Sequence, residues 1–174
     1  MAKTELKIRI YGDPALSRKS QAVKEVTPRH REILSSMAQL MYAGEGIGLA
    51  APQVGINETM IVVDIGNSSL YKLINPRIIK ISGSQTNQEG CLSIPGVCVK
   101  VKRANKVTVI ALDQDAKEVT IKAEGLLACV LQHEIDHLKG KTIVDYASIF
   151  VKLRLKKTLK ELTKQSKAKT CQLL

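Results

Sequence analysis

Residues 124–138, with the sequence EGLLACVLQHEIDHL, form the stretch that most constrains the fold. Gly140 follows shortly after it, and glycine commonly stands just beyond the last residue of a helix. The segment carries His133 and His137, which are four residues apart and therefore share one face of a helix. We predict a helix that presents both imidazoles to a single point.

Short runs rich in β-branched residues precede this helix, at 60–65, 70–74, 78–81, 97–101, 107–112 and 119–121. Turn residues separate the runs, for example Asn75 and Pro76 between the second and the third. Strands at this spacing, without helices between them, pair in antiparallel sheets. The expected class is therefore α+β, with antiparallel β-sheets packed around the central helix that carries the histidines.

The N-terminal region adds a strand and a helix to this prediction. Residues 6–10 alternate apolar with charged side chains, which is the period-two pattern of a half-buried strand. Thr27 and Pro28 start a helix of about 15 residues that ends before Gly44.

The net charge of +11 is concentrated near the C-terminus. Residues 152–169 contain eight basic side chains and one acidic side chain. Val151, Leu155, Leu159 and Leu162 form an apolar stripe at helical spacing, so a C-terminal helix should pack this stripe inward. The lysines then form either an ordinary solvated face or a docking surface for RNA phosphates.

Length and composition exclude several classes of protein. A chain of 174 residues fits one domain or at most a marginal two, and 3% aromatic residues argue against a base-stacking platform for single-stranded nucleic acid. No apolar run reaches the roughly 18 residues that span a bilayer, so we expect a cytoplasmic protein without a membrane partner. The four cysteines are too few for a disulfide scaffold and are better considered as ligands, nucleophiles or core residues.

His133, Glu134 and His137 have the H-E-x-x-H spacing of metal hydrolases. A divalent metal lowers the pKa of water toward about 7 and polarises a carbonyl group. Glu134 could then act as the base that takes a proton from the water. The competing interpretation is two ordinary histidines on one face of a helix.

A hydrolytic metal site of this type needs a third protein ligand and one open position. Ile143 stands where one large class has its third histidine, which excludes that class. Cys91 follows Gly90, which permits close backbone approach, and its thiolate would complete a tetrahedral site. Glu161 is the alternative ligand, and His30 is expected at the surface.

Residues 46–53, GIGLAAPQ, begin with a match to the G-x-G-x-x-G/A fingerprint of dinucleotide-binding proteins. We reject this match because the segment follows a helix and because Pro52 would break the helix that should begin here. The glycines instead indicate a backbone close to a ligand, and Gln53 offers an amide donor to a developing oxyanion. A loop whose glycines serve only a tight turn is the alternative.

Three segments taken together resemble the signature motifs of the peptide deformylase family: GIGLAAPQ at 46–53, EGCLS at 89–93 and QHEIDH at 132–137. The resemblance implies a metal-dependent hydrolase that removes the formyl group from the N-terminal formyl-methionine of new polypeptides and releases formate. Residues 1–147 would then form a single catalytic domain. Residues 148–174 would form a basic helix and tail that belong to this domain or extend it.

The resemblance also assigns roles in the reaction. Cys91, His133 and His137 would bind the metal, which in this family is usually ferrous iron, with zinc, nickel or cobalt as substitutes. Glu134 would carry a proton from the attacking water to the leaving amine. The oxyanion would be stabilised by the side chain of Gln53 and the backbone N–H of Leu92.

Further roles by resemblance concern the substrate and the surroundings of the metal. The residues expected to border the substrate are Ile47, Gly48, Gly90, Cys129 and Val130. Glu89 and Arg103 would support the metal ligands from behind. Asn87 and Cys98 depart from the family's usual apolar residue and arginine near the peptide-binding cleft, which bears on substrate preference, and Ala116 replaces the glycine of a hairpin turn.

In bacterial relatives with a helical C-terminal extension, that segment is associated with ribosome docking, which gives the basic helix a candidate partner. Two other functions remain open on the residues alone. One is a zinc endopeptidase with Glu161 as the third ligand, and the other is a ribosome-binding module in which the histidine pair is merely structural.

Overall fold

The computed structural model describes residues 6–67 and 69–171 of the chain. The α-helices in this part are α1 (Pro28–Ala43), α2 (Gly125–Leu138) and α3 (Ile149–Cys171). The strands are β1 (Gly48–Ala50), β2 (Met60–Val63), β3 (Tyr71–Ser82), β4 (Gln85–Glu89), β5 (Val99–Arg103), β6 (Lys106–Leu112) and β7 (Glu118–Glu124).

The strands form two antiparallel sheets. Five strands pair in the order β1-β2-β3-β6-β7, and β4 pairs with β5. The predicted α+β class with antiparallel sheets is confirmed.

Strand β2, with the sequence MIVV, is buried on both faces. Successive side chains of a strand point to opposite faces. Ile61 and Val63 belong to the apolar cluster that includes α2, whereas Met60 and Val62 belong to the cluster that includes α1. The larger sheet therefore lies between the two helices at this point, as expected for a sheet packed against a central helix.

Helix α2 starts one residue later than predicted and ends at the predicted residue. Most of its residues are buried, including Glu134, Asp136 and His137. Charged groups are costly to bury unless they are paired. The buried charged side chains of this helix should therefore have hydrogen-bond or ion-pair partners.

The predicted N-terminal strand is wrong. The backbone N–H of Arg9 donates to the carbonyl of Gln53 at 2.7 Å, and that of Tyr11 donates to the carbonyl of Ser93 at 2.8 Å. The first bond reaches the 3₁₀ turn Ala51–Val54 and the second reaches the turn that follows Cys91, so the two bonds do not form a strand ladder. The alternating pattern reflects real half-burial, but the partners of this segment are turns and not a neighbouring strand.

Helix α1 confirms the predicted start at Pro28 and the end before Gly44. His30, expected at the surface, is buried. Its Nδ1 atom accepts a hydrogen bond of 2.9 Å from the backbone N–H of Thr27, which caps the first turn of the helix. A polar side chain that caps a helix is held against the helix end and can therefore be buried, which explains why the prediction of a surface position for His30 is wrong.

The predicted turn at Asn75 and Pro76 is also wrong, because β3 continues through both residues. The pairing between β3 and β6 shifts register between Ile74 and Arg77. Asn75 has a φ of 53°, in the left-handed region that asparagine tolerates better than most residues. Both residues form a bulge, where proline is accepted within a sheet.

Helix α3 packs its apolar stripe inward, as predicted. Val151, Leu155 and Leu159 are half-buried, and Leu162 is buried in a cluster with residues of β5. A Cβ atom added to Gly12 would lie 2.8 Å from the Cα of Thr163, so the helix packs closely against the N-terminal segment that contains Gly12. In the part of the chain that is described, no helix has the length and apolar character needed to cross a membrane.

Candidate metal centre and active-site cleft

One cysteine and two histidines converge between α2 and the loop that follows β4. The Cys91 Sγ lies 3.3 Å from His137 Nε2, which lies 3.2 Å from His133 Nε2. Among the described residues, these three form the group of metal-ligating type, with ligand atoms within 4.8 Å of one another. The predicted ligands are thus brought together, the histidines by the helical repeat and the cysteine by the loop.

The spacing of these atoms fits a metal ion. Two nitrogens that bind a metal tetrahedrally at about 2.0–2.1 Å are separated by roughly 3.3 Å, and a thiolate adds a few tenths of an ångström. The observed separations of 3.2 and 3.3 Å are close to these values. The donor set of one thiolate and two imidazoles also suits a divalent transition metal, with a fourth position for water or substrate.

Glu89, at the end of β4, holds His133 in place from behind. Its Oε2 atom lies 2.8 Å from His133 Nδ1, which leaves Nε2 facing the other ligands. Burial alone would raise the pKa of Glu89, but hydrogen bonds from Arg103 and His133 outweigh burial and lower this pKa to about 2. Glu89 therefore stays ionised and fixes the orientation of the imidazole, as outer partners of metal-bound histidines do.

Arg103, on β5, anchors Glu89 with two hydrogen bonds of 2.8 and 2.9 Å. A third hydrogen bond joins its Nη1 to Asp136, which in turn accepts a hydrogen bond of 2.6 Å from the hydroxyl of Tyr146. Sequence reasoning missed Asp136 and Tyr146. Asp136 lies within the QHEIDH motif, but nothing in the sequence indicates that it shares a buried arginine with Glu89.

Glu134 is buried and lines the cleft beside His133. Its Oε2 atom has no hydrogen-bond partner among the described residues. Burial raises the pKa of Glu134 to about 7. A buried carboxylate with one free oxygen and a pKa near neutrality is well suited to accept and return a proton.

Gln53 is buried and rigidly oriented. Its side-chain carbonyl accepts a hydrogen bond of 2.8 Å from the backbone N–H of Ala50. Its amide nitrogen donates to Ser93 Oγ at 3.2 Å and lies 3.4 Å from Cys91 Sγ. Ser93 is a further residue of the site that sequence reasoning missed, although it belongs to the EGCLS motif.

These groups open into a cleft of about 590 Å³. All residues predicted to border the substrate line it, namely Ile47, Gly48, Gly90, Cys129 and Val130, and so does Leu92, which was predicted to stabilise the oxyanion. Asn87 also lines the cleft, whereas Cys98 is exposed and does not. Burial, and then the nearby carboxylate of Glu89, raise the pKa of Cys129 to about 12. This thiol therefore stays protonated and lines the cleft as an uncharged side chain.

Glu161, the alternative third ligand, does not belong to the cysteine and histidine group. It is exposed on α3 and lies 4.0 Å from the ammonium of Lys164. The geometry therefore favours Cys91 over Glu161 as the partner of the two histidines.

Comparisons with known proteins agree with this geometry. The sequence model of the polypeptide deformylase family matches residues 5–152 of this chain. A peptide deformylase from Carboxydothermus hydrogenoformans is 50% identical over 141 residues, which are 81% of this chain and 92% of that protein.

Solved structures with the same fold are peptide deformylases, for example the following two. The crystal structure from Thermus thermophilus has a TM-score of 0.88 and 32% identity, covering 91% of this chain and 98% of that chain. A structure from Synechococcus elongatus, in complex with actinonin, has a TM-score of 0.82 and 38% identity, covering 95% and 89% respectively. The chain therefore belongs to the polypeptide deformylase family, whose metal-dependent enzymes remove the N-formyl group from newly made polypeptides.

Proposed function

We propose that Cys91, His133 and His137 bind one divalent metal ion and that Glu134 moves the proton during hydrolysis of the formyl group. The observation that carries this proposal is the unpartnered, buried carboxylate oxygen of Glu134, in a cleft beside three converging metal-ligating atoms. When bound, the metal would lower the pKa of water and polarise the formyl carbonyl.

In this proposal Glu134 first takes a proton from the attacking water as the water oxygen bonds to the formyl carbon. It then gives the proton to the amine as the carbon–nitrogen bond breaks, so that formate and a free N-terminus are released. The pKa of about 7 supports both steps, because the carboxylate can accept and release a proton near neutral pH.

We propose that the side-chain amide of Gln53 and the backbone N–H of Leu92 stabilise the negative oxygen of the tetrahedral intermediate. The hydrogen bond from Ala50 to the Gln53 carbonyl supports this role, because it turns the amide nitrogen toward Cys91. A donor that is already oriented does not have to be reorganised during the reaction.

The substrate residue at the cleft is proposed to be methionine. Ile47, Cys129 and Val130 form apolar walls, and Gly48 and Gly90 leave room for the substrate backbone. Glu89 and Arg103 are proposed to support the metal ligands, on the strength of their buried hydrogen bonds.

We propose ferrous iron as the metal, with zinc, nickel or cobalt as substitutes. A mixed thiolate and imidazole set accepts all of these ions, so the preference for iron rests on the family resemblance. Metal analysis after anaerobic purification tests the assignment, with stoichiometric iron as the expected result.

The decisive experiment compares three variants in an assay of formate release from a formyl-methionyl peptide. Cys91→Ser should lose bound metal together with activity. Glu134→Ala should keep metal and lose activity by a factor on the order of 10² to 10⁴. Glu161→Gln is the matched control, which should keep both, whereas loss of metal in this variant would favour the endopeptidase alternative.

We propose that the enzyme works in the cytoplasm and docks on the ribosome through α3. The basic side chains of α3, including Lys156, Lys157 and Lys160, are exposed, and their positive charge complements that of RNA phosphates. Binding to purified ribosomes should weaken steeply with added salt and in Lys156→Glu/Lys157→Glu. The same reversal at Lys117 and Lys122, outside α3, should have a smaller effect, and equal effects of the two pairs would argue against docking through α3.

A further inference from the structure

We infer that Tyr146 is a positioning residue for His133, on which it acts through a buried chain of charged groups. This inference rests on the proposed metal site. Tyr146 ends a short 3₁₀ turn, Ile143–Tyr146, that connects α2 to α3, and it does not line the cleft. Its effect on the reaction would therefore be transmitted entirely by its contacts.

The chain of contacts runs without interruption from the tyrosine to the metal ligand. The Tyr146 hydroxyl donates to Asp136 Oδ2 at 2.6 Å, and Arg103 Nη1 donates to the same oxygen. The other two nitrogens of the guanidinium donate to the two oxygens of Glu89. Glu89 Oε2 then lies 2.8 Å from His133 Nδ1.

The tyrosine matters because two carboxylates share one guanidinium. Asp136 and Glu89 both form ion pairs with Arg103, and Asp136 also accepts a hydrogen bond from the hydroxyl of Tyr146. Without the hydroxyl, we expect Asp136 to attract the guanidinium of Arg103 more strongly. This would weaken the two hydrogen bonds from Arg103 to Glu89. Glu89 would then orient His133 less firmly.

The ring and the turn hold the hydroxyl in position. The guanidinium carbon of Arg103 lies 4.8 Å from the centroid of the Tyr146 ring, within the range of a cation–π contact. The turn itself is capped by Asp145, whose carboxylate accepts a hydrogen bond of 2.7 Å from the backbone N–H of Thr142. Partial burial, and the hydrogen bond to Asp136, raise the pKa of Tyr146 to about 12, so the hydroxyl remains a donor at physiological pH.

The test is the rate at which the metal-loaded protein loses its metal to a chelator. Tyr146→Phe removes the hydroxyl and keeps the ring over Arg103, so the fold should be retained. Loss of a direct outer partner typically weakens metal affinity by 10- to 100-fold, so for a residue further out we expect roughly three- to tenfold faster metal loss. Formate release should fall in parallel.

Tyr42→Phe is the matched control. Tyr42 also donates a hydrogen bond of 2.6 Å to a carboxylate, that of Asp64, but it has no contact with the chain that leads to His133. We expect this variant to lose metal within twofold of the wild-type rate. The free energies of unfolding of the metal-free variants and the metal-free wild type should also be compared, because this distinguishes an effect on the metal site from a general loss of stability.

A second variant tests whether Tyr146 acts through Asp136. Asp136→Asn should speed metal loss at least as much as Tyr146→Phe, and combining the two should add little. Equal rates of metal loss in Tyr146→Phe and Tyr42→Phe would overturn the inference. A wild-type protein that binds no metal and releases no formate would instead overturn the proposed function, and this is measured before any variant.

Discussion

Gly48 lies where a larger residue would collide with the carboxyl group of Glu134. A Cβ atom at this position would be 2.9 Å from the carboxyl carbon of Glu134 and 2.9 Å from a methyl group of Val130. We expect Gly48→Ala to displace the carboxylate and to lower kcat at least tenfold, because a misplaced base loses much of its effect. Metal content should be unchanged, since the variant leaves the metal ligands alone.

Gly44→Ala is the control for this prediction. A Cβ atom at Gly44 would lie 3.2 Å from the end of the Leu92 side chain, which can move aside. Formate release and metal content should be measured for both variants. Equal activity of Gly48→Ala and the wild type would contradict the role assigned to the position of Glu134.

Cys91, Cys98 and Cys129 should differ in their reactivity toward alkylating reagents. Cys98 is exposed and should react with or without metal. Cys129 is buried with a pKa raised to about 12, so it should not react near neutral pH. Cys91 should react only after a chelator has removed the metal. Peptide mapping after alkylation checks this order, and labelling of Cys129 before Cys98 would contradict it.

At the residue scale, spacing alone predicts the members of the site that are close in sequence, whereas the roles of distant residues such as Cys91, Glu89 and Arg103 were predicted with the help of the family resemblance. The helical repeat alone brings His133 and His137 together, and it also puts Glu134 beside them. The roles of Ser93 and Tyr146 could not be predicted, because they depend on distant residues: Ser93 contacts Gln53, and Tyr146 contacts Asp136, which in turn binds Arg103. Such contacts are created by the packing of sheets and loops and leave no periodic signal.

At the scale of elements, hydrophobic periodicity predicted the helices better than the strands. Strand β4, with the sequence QTNQE, was missed because it is largely polar and, among the described strands, pairs with β5 alone. Strand β3 was divided in two at Asn75, because asparagine followed by proline usually indicates a turn. The tertiary contacts of Asn75 override that local preference.

These contacts predict a large effect for Asn75→Ala. The Asn75 side chain accepts a hydrogen bond of 2.9 Å from the backbone N–H of Val23 and donates one of 2.8 Å to its carbonyl. It also accepts a hydrogen bond from the Thr59 hydroxyl. Losing three such bonds, at a residue with a φ of 53°, should lower the free energy of unfolding by about 2–3 kcal/mol.

Asn105→Ala provides the comparison in a denaturant titration. Asn105 makes a single, long side-chain hydrogen bond of 3.4 Å to Glu124 at an exposed position. Its replacement should change the free energy of unfolding by no more than about 0.5 kcal/mol. Similar values for the two variants would show that the bulge is not held by the Asn75 side chain.

At the scale of the whole molecule, the basic helix α3 and the loop that contains Cys91 share one apolar cluster. Leu162 of α3 is buried in a cluster with Ile94 and Val97, and Cys91 packs against the same cluster. The outer face of α3 carries most of the net charge of +11, and its inner face contributes to the support of the loop that contains Cys91. The charge thus belongs to a helix whose inner face packs against the rest of the molecule.

This arrangement predicts that α3 stabilises the body of the enzyme through its inner face alone. Leu162 is 6% exposed, and truncating a buried leucine to alanine typically costs 2–5 kcal/mol, so we expect Leu162→Ala to lower the free energy of unfolding by about 2–3 kcal/mol. Leu153, on the same helix, is 61% exposed, and Leu153→Ala should cost no more than about 0.5 kcal/mol. Hydrogen exchange should also quicken around residues 91–97 in Leu162→Ala, because these residues share the cluster that the variant weakens. Equal losses of stability in the two variants, or unchanged exchange at residues 91–97, would mean that α3 and the loop that contains Cys91 are energetically independent.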